Sequence, residues 1–345
     1  MTVRQAEAQP AVGGAALRHL DYLDGWRGVA IVTLLVGHFA PVPGLNLGEI
    51  GVGLFFVLSG LLMGRLLFVR RTDIGLFYRR RISRILPAHL AFIVVIALCV
   101  SLNVGPWRFS WREFWAASLF LNNYVVPQAG PGHAAMPYGH VWSLAVEEHG
   151  YVLMASLAWL ARRGIFTERR GLQIALALCV LINLAYGAWN PRQLEFTYWL
   201  HSEAAVFGVL ASACLTTGGL PDGLLSRRLA AGFPILMLAG VLAHWWSLPP
   251  ALHRLLGLGL FVLALHLLPQ APVLWRNVLS WLPLRRMGEW SFSVYLWQQP
   301  FYLWVRQGEA PAWVGLAAAM TAGLISYYGL ERPVRSYLNR GWARA

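Results

Sequence analysis

The apolar positions of this chain run in long blocks, broken by short polar stretches. A membrane-crossing helix needs about 20 apolar residues, within a range of about 17 to 25. Ten blocks meet that length: residues 26–43, 48–69, 86–104, 142–161, 171–189, 198–216, 229–247, 251–268, 290–307 and 311–330. The pattern predicts an all-α integral membrane protein of about ten transmembrane helices. Two connections are longer than the rest. Residues 70–85 include the amphipathic stretch Phe77 to Ile85, predicted to lie along the inner membrane surface. Residues 105–141 carry Trp107, Trp111 and Trp115, suited to an interfacial belt, and Phe114 to Tyr124, read as a short re-entrant helix.

Charge fixes an orientation for these spans. With the N-terminus inside, 21 of the 28 arginines fall in inner segments and 5 in outer ones, and the chain has no lysine. The bias alternates loop by loop, which predicts an N-in, C-in topology. It also accounts for the net charge of +13 without nucleic acid, which is not an expected partner. Composition agrees: 12% charged residues is about half of what a soluble domain carries. The expected organisation is a flexible cytoplasmic tail over 1–20, one transmembrane domain over 21–338 and a cytoplasmic tail over 339–345, in a bacterial-type inner membrane. Cys99, Cys179 and Cys214 lie in apolar runs without metal-ligand spacing, so no metal is expected.

Polar groups inside the spans mark the candidate site. Arg27 and His38 are eleven residues apart, almost three helical turns, and so share one face about 16 Å apart. Neither belongs against lipid. Counting depth along each span places Glu147 and Glu148 of the fourth helix level with His38 in the outer half, and Tyr295, Gln298 and Gln299 of the ninth in the middle or outer half. Arg27, Arg65 and the Arg79 to Arg84 cluster line the inner side. The expected result is a polar passage through the bundle, with an anion-binding inner mouth and a titratable centre nearer the outside.

Six stretches, in order, resemble the signatures of the membrane acyltransferase-3 family. They are Arg27-x10-His38, the run Gly53 to Gly60 (GLFFVLSG), Phe77 to Arg84 (FYRRRISR), Trp142 to Glu148 (WSLAVEE), Ser291 to Trp297 (SFSVYLW) and Glu331-Arg332-Pro333. The resemblance covers about residues 20–338. It implies an integral membrane O-acyltransferase that moves an acetyl or other short acyl group from cytoplasmic acyl-CoA to a hydroxyl, usually of a sugar. No permanently bound cofactor is implied; acyl-CoA, most simply acetyl-CoA, is the donor substrate. Some members carry a further esterase-like domain, which is not expected here. This sequence departs from the family pattern at Trp26, at Gly150 and at Gln298, a position often histidine.

The chemistry fits the layout. A sugar hydroxyl is a poor nucleophile, and a histidine, with an ordinary pKa of about 6.5, is a suitable base. His38 is the candidate base, with Glu147 or Glu148 rather than Gln298 as the carboxylate that tunes it, Glu147 preferred. Arg81 and Arg84, one turn apart, are candidates to grip CoA phosphates, and Arg27 to steady the donor or hold a carboxylate. Ser143, Tyr295 and Gln299 are candidates for the acceptor or oxyanion contacts. A second function class uses the same groups: inner arginines and a mid-membrane His/Glu pair also suit a proton-coupled exporter of an anionic small molecule.

Overall fold

The computed structural model describes residues 20–129, 135–189, 200–219 and 224–344. The N-terminal tail predicted over 1–20 lies outside these residues except for Leu20, as does Arg192. Among the described residues the regular elements are all helical, and the only strand-like contact is an isolated bridge between Leu45 and Trp245. In chain order the helices are α1 (Asp21–Phe39), α2 (Leu47–Gly64), α3 (Ile74–Ser101), α4 (Trp111–Ser118), α5 (Asn122–Ala129), α6 (Trp142–Arg162), α7 (Glu168–Trp189), α8 (Ser202–Ala205) and α9 (Phe207–Gly218). They continue as α10 (Leu224–Ala231), α11 (Phe233–Leu242), α12 (Pro250–Leu252), α13 (Leu258–Leu267), α14 (Val273–Leu279), α15 (Leu282–Arg306), α16 (Ala312–Ser326) and α17 (Arg332–Arg344). Widened π turns at Arg65–Val69, His253–Gly257 and Tyr327–Glu331 extend α2, join α12 to α13 and join α16 to α17.

Among the described residues five helical runs are long and apolar enough to cross a membrane: Leu47–Val69, Ile74–Ser101, Glu168–Trp189, Pro250–Gln270 and Ala312–Trp342. Helices α1, α6 and α15 are not among these five, although they have 19, 21 and 25 residues. Each carries several charged or amide side chains, and each proves to line the candidate site. The predicted break between a surface helix and the third span is absent. Asp73 caps the start of α3 by accepting from the Leu76 amide at 2.8 Å, and one helix of 28 residues follows, running through Pro87. Arg81 and Arg84 therefore stand on the same rod as the apolar residues 88–100 and face the bundle. The stretch Phe77 to Ile85, expected to lie along the membrane surface, is instead the first part of this helix, because capping by Asp73 starts it a dozen residues before the predicted span at 86.

Helix α1 is the centre of the packing, flanked by α2 on one side and α15 on the other. Its buried stripe is Trp26, Ala30, Ile31, Leu34 and Leu35, and the Trp26 indole donates to the Leu54 carbonyl at 3.0 Å. Between apolar helices in lipid, close packing rather than water exclusion supplies the attraction, so small residues at crossings matter. Gly288 of α15 rests on the α1 backbone: a β-carbon there would lie 1.9 Å from the Asp24 carbonyl oxygen. Gly28 of α1 meets the start of α15 in the same way, its β-carbon position falling 2.0 Å from the Leu284 oxygen. Backbone cannot retreat as a side chain can. Gly288→Val is therefore expected to destabilise the bundle by about 3 kcal/mol or more, beyond ordinary overpacking, read as a lower unfolding temperature in detergent. An unchanged melting curve would show that α1 and α15 are not held at this crossing.

Candidate functional site

A cavity opens among α1, α2, α3, α6 and α15, with about 790 Å³ free of atoms including its mouth. Its apolar wall includes Val52, Phe55, Phe56, Leu62 and Phe292. Its polar lining includes Arg27, Ser59, Arg81, Arg84, Ser143, Glu147, Tyr151 and Tyr295. Of the residues that the sequence singles out for the site, Arg27, Arg81, Arg84, Ser143, Glu147 and Tyr295 line this cavity, whereas His38, Arg65, Glu148, Gln298 and Gln299 do not.

The arginines are not equivalent. Arg27 pairs with Asp24 at 3.1 Å, one turn away on α1. Arg81 pairs with Glu148 at 2.8 Å, lies 3.4 Å over the Tyr151 ring and reaches Met63 Sδ at 3.5 Å. Arg84 makes no ion pair or hydrogen bond among the described residues, and its charged neighbours are Arg27, Arg81, Arg335 and the single carboxylate Glu331. Glu331 is itself engaged: it accepts from Ser293 Oγ at 2.7 Å and faces Arg335 at 3.6 Å. This end of the cavity thus carries positive charge that the protein leaves unanswered.

The acidic pair sits elsewhere than expected. Glu147 accepts from the hydroxyls of Ser59 and Tyr151, and Glu148 is taken by Arg81. Neither carboxylate meets His38. Ser143, one turn before Glu147 on α6, is at the level of Tyr295, and Tyr295 is about one turn below Gln298 on α15. The depth count therefore misplaced Glu147 by about 10 Å. It assumed that α6 starts at the membrane edge, whereas Gly139–Val141 already form a buried 3-10 turn ahead of it.

His38 is held instead by α15. Its Nδ1 lies 2.7 Å from Gln298 Oε1, and its ring stacks on Tyr302 with centroids 4.1 Å apart and planes at 16°. Gln298 is fully buried, and its amide nitrogen points to Gln299 Oε1 at 3.4 Å. An amide oxygen only accepts, so in this arrangement Nδ1 carries the proton and Nε2 presents the lone pair. Gln298 does the orienting that the sequence reading gave to a carboxylate.

Two of the three oxyanion candidates have no proton to spare. Tyr295 donates to the His140 carbonyl at 2.5 Å, so the 2.5 Å contact with Ser143 is a bond donated by the serine. Gln299 differs, since its amide nitrogen has no acceptor among the described residues. His140 was not singled out by the sequence. It is buried, its ring lies 5.1 Å from that of Tyr295, and neither ring nitrogen makes a hydrogen bond among the described residues. Placed in a presumed outer loop, it gave no depth signal.

Removing one member of a buried ion pair leaves the other charge stranded, at a cost of about 3 kcal/mol or more. Arg81→Met is therefore expected to lower stability by about that amount, and Arg81→Met with Glu148→Met to recover part of it. Thermal unfolding of the two variants in detergent decides the point; equal losses would remove the pair as a structural lock.

Comparison with known proteins bears on what this site serves. An acyltransferase domain model of the acyltransferase-3 type matches residues 20–331. The chain is similar to the O-acetyltransferase OatA of Staphylococcus aureus, 26% identical over 354 residues, covering 92% of this chain and 57% of the relative. Two provisionally named proteins are also similar. One is the membrane-bound transacylase BcsY of Komagataeibacter xylinus, 27% identical, covering 92% of this chain and 83% of the relative. The other is the peptidoglycan O-acetyltransferase YrhL of Bacillus subtilis, 27% identical, covering 95% and 56%. The chain thus spans little more than half the length of OatA and YrhL. No solved structure matches it. With the family model covering most of the sequence and the helices apolar enough to cross a bilayer, the chain belongs to the acyltransferase-3 family of multi-pass membrane proteins.

Proposed function

We propose that this protein transfers an acyl group, most simply acetyl, from cytoplasmic acyl-CoA to a hydroxyl of a carbohydrate or glycosylated acceptor, with His38 as general base. The names of its relatives support O-acyl transfer; the donor and the base rest on the geometry. The observation that carries the reading is the layout along α1. Arg27 lies beside the unpaired Arg84 at one end of the cavity, and His38 stands about 16 Å along the same helix, one turn beyond the Tyr295 and Ser143 end. An extended thioester needs this layout, with its phosphates held at one end and its carbonyl delivered at the other.

On this reading the CoA phosphates meet Arg84 and Arg27 at the inner side, as charge-assisted hydrogen bonds. Arg81, already paired with Glu148, shapes the cavity wall and is no longer assigned to the phosphates. The acceptor oxygen attacks the thioester carbonyl carbon; the new O–C bond forms and the C–S bond breaks. The hydroxyl proton passes to His38 Nε2 and then to the departing thiolate. Gln298 keeps the imidazole in the tautomer that can take that proton, and the Gln299 amide is placed to donate to the oxyanion. The bundle lies in a bacterial-type inner membrane with both termini inside, as its arginines predict.

His38→Ala is expected to insert normally and to lose about 10²-fold or more in kcat. Wild-type product formation by well-expressed protein would remove His38 from the mechanism. Gln298→Leu is expected to lower kcat about tenfold while leaving the KM for acyl-CoA within a factor of two, since it loosens the base without touching the donor. Arg84→Gln should do the reverse, raising the acyl-CoA KM more than the acceptor KM, with added salt mimicking the loss in wild type. Equal effects on both substrates would return Arg84 to a purely topological role.

A further inference from the structure

Glu331 is the carboxylate among the charged neighbours of Arg84, the arginine at the inner end of the cavity. It is 2% exposed and ends the π turn Tyr327–Glu331, where α16 passes into α17. A π turn holds one residue more than an α turn, which swings the side chains after it round by about 100°. The turn packs against both α3 and α15. Ser83, the residue before Arg84 on α3, donates to Asn339 Oδ1 of α17 at 3.0 Å, which fixes Arg84 beside this segment.

The two carboxylate oxygens of Glu331 are used differently. Oε2 accepts from Ser293 Oγ at 2.7 Å, whereas Oε1 faces Arg335 Nη1 at 3.6 Å, too far for a hydrogen bond. A carboxylate can accept several bonds, so Oε1 is able to answer another guanidinium. Arg84, Arg335 and Arg27 surround it, and of these Arg27 already has Asp24. An internal carboxylate and an incoming phosphate therefore face the same arginine.

We propose that Glu331 is the resident counter-charge of the donor-phosphate site, competing with the phosphates of acyl-CoA for Arg84 and so limiting how tightly CoA is held. The inference rests on the donor reading of the cavity. Its use follows from what phosphate contacts do. The phosphates are unchanged by acyl transfer, so arginines that grip them hold spent CoA as firmly as acyl-CoA. Arginines in surroundings of low polarity would bind a multiply charged anion strongly enough to delay its release. Glu331 weakens both complexes alike, and CoA can leave. It acts through Arg84, as a positioning residue.

Titration calorimetry of the purified full chain in detergent, with CoA and with pantetheine, which lacks the phosphates, tests this without turnover. Glu331→Gln keeps the side-chain length and an oxygen for Ser293 but removes the charge. It is expected to bind CoA about tenfold more tightly and pantetheine within about a factor of two of wild type. Damage to the fold does not produce such a gain. Ser293→Ala removes the bond that holds the carboxylate back from Arg84, and should weaken CoA binding about threefold. Unchanged or weaker CoA binding by Glu331→Gln, or an equal gain for pantetheine, overturns the inference. Should that variant not fold, Ser293→Ala decides alone, and CoA affinity equal to or above that of wild type overturns it. CoA binding that Arg84→Gln leaves unchanged would sink the donor reading instead, so the two failures are distinguishable.

Discussion

Burying charge among apolar helices obliges the structure to answer it, and the candidate site is organised by which charges are answered. Arg27 has Asp24, Arg81 has Glu148 and Arg335 has Glu331. Each pair removes a desolvation cost that an isolated ion would impose in lipid. Arg84 stands in the same low-dielectric surroundings without such a partner, and its nearest charges are mostly of its own sign. Repulsion of that kind is relieved by an anion, which is why the proposed reading puts the donor phosphates at Arg84 rather than at Arg79 to Arg81 earlier on α3.

Hydropathy made the helices legible because lipid permits few alternatives to them. Every apolar block of the sequence overlaps helix among the described residues, and the short connection predicted between 189 and 198 falls on residues that are not described. The exceptions have local causes. A cap at Asp73 merges the amphipathic stretch with the third block, and a buried turn before Trp142 shifts α6 along its axis. Hydropathy averages over some twenty residues; a cap or a single buried turn acts over three or four, below that resolution.

The site was legible where spacing carries the information and opaque where partnership does. Arg27 and His38 share a face of α1 by helical arithmetic alone. The partner of His38 was assigned by charge, favouring a carboxylate, and the structure gives an amide from a helix 260 positions away. Gln298 stood out in the sequence and was set aside as the partner because a neutral amide carries no compensating charge. His140 was overlooked for a related reason: a histidine in a connecting segment reads as surface, and the packing of α3 and α15 around the 3-10 turn buries it.

A layer of committed hydrogen bonds separates the two ends of the site. Ser143 donates to Tyr295, which donates to the His140 carbonyl, so this layer between the cavity and His38 offers no free proton. Such a layer suits an enzyme whose donor and acceptor approach from opposite sides, because hydroxyls with no proton to give compete poorly with the acceptor for the acyl group. Glu147 restrains its neighbours similarly, holding the Ser59 and Tyr151 hydroxyls that line the cavity. On the proposed reading, the hydroxyl that reacts is therefore the one brought to Nε2 by the substrate. Ser59, Ser143, Tyr151 and Tyr295 remain bound to one another or to Glu147, and on that reading the favoured course is direct transfer rather than passage through an acyl-enzyme.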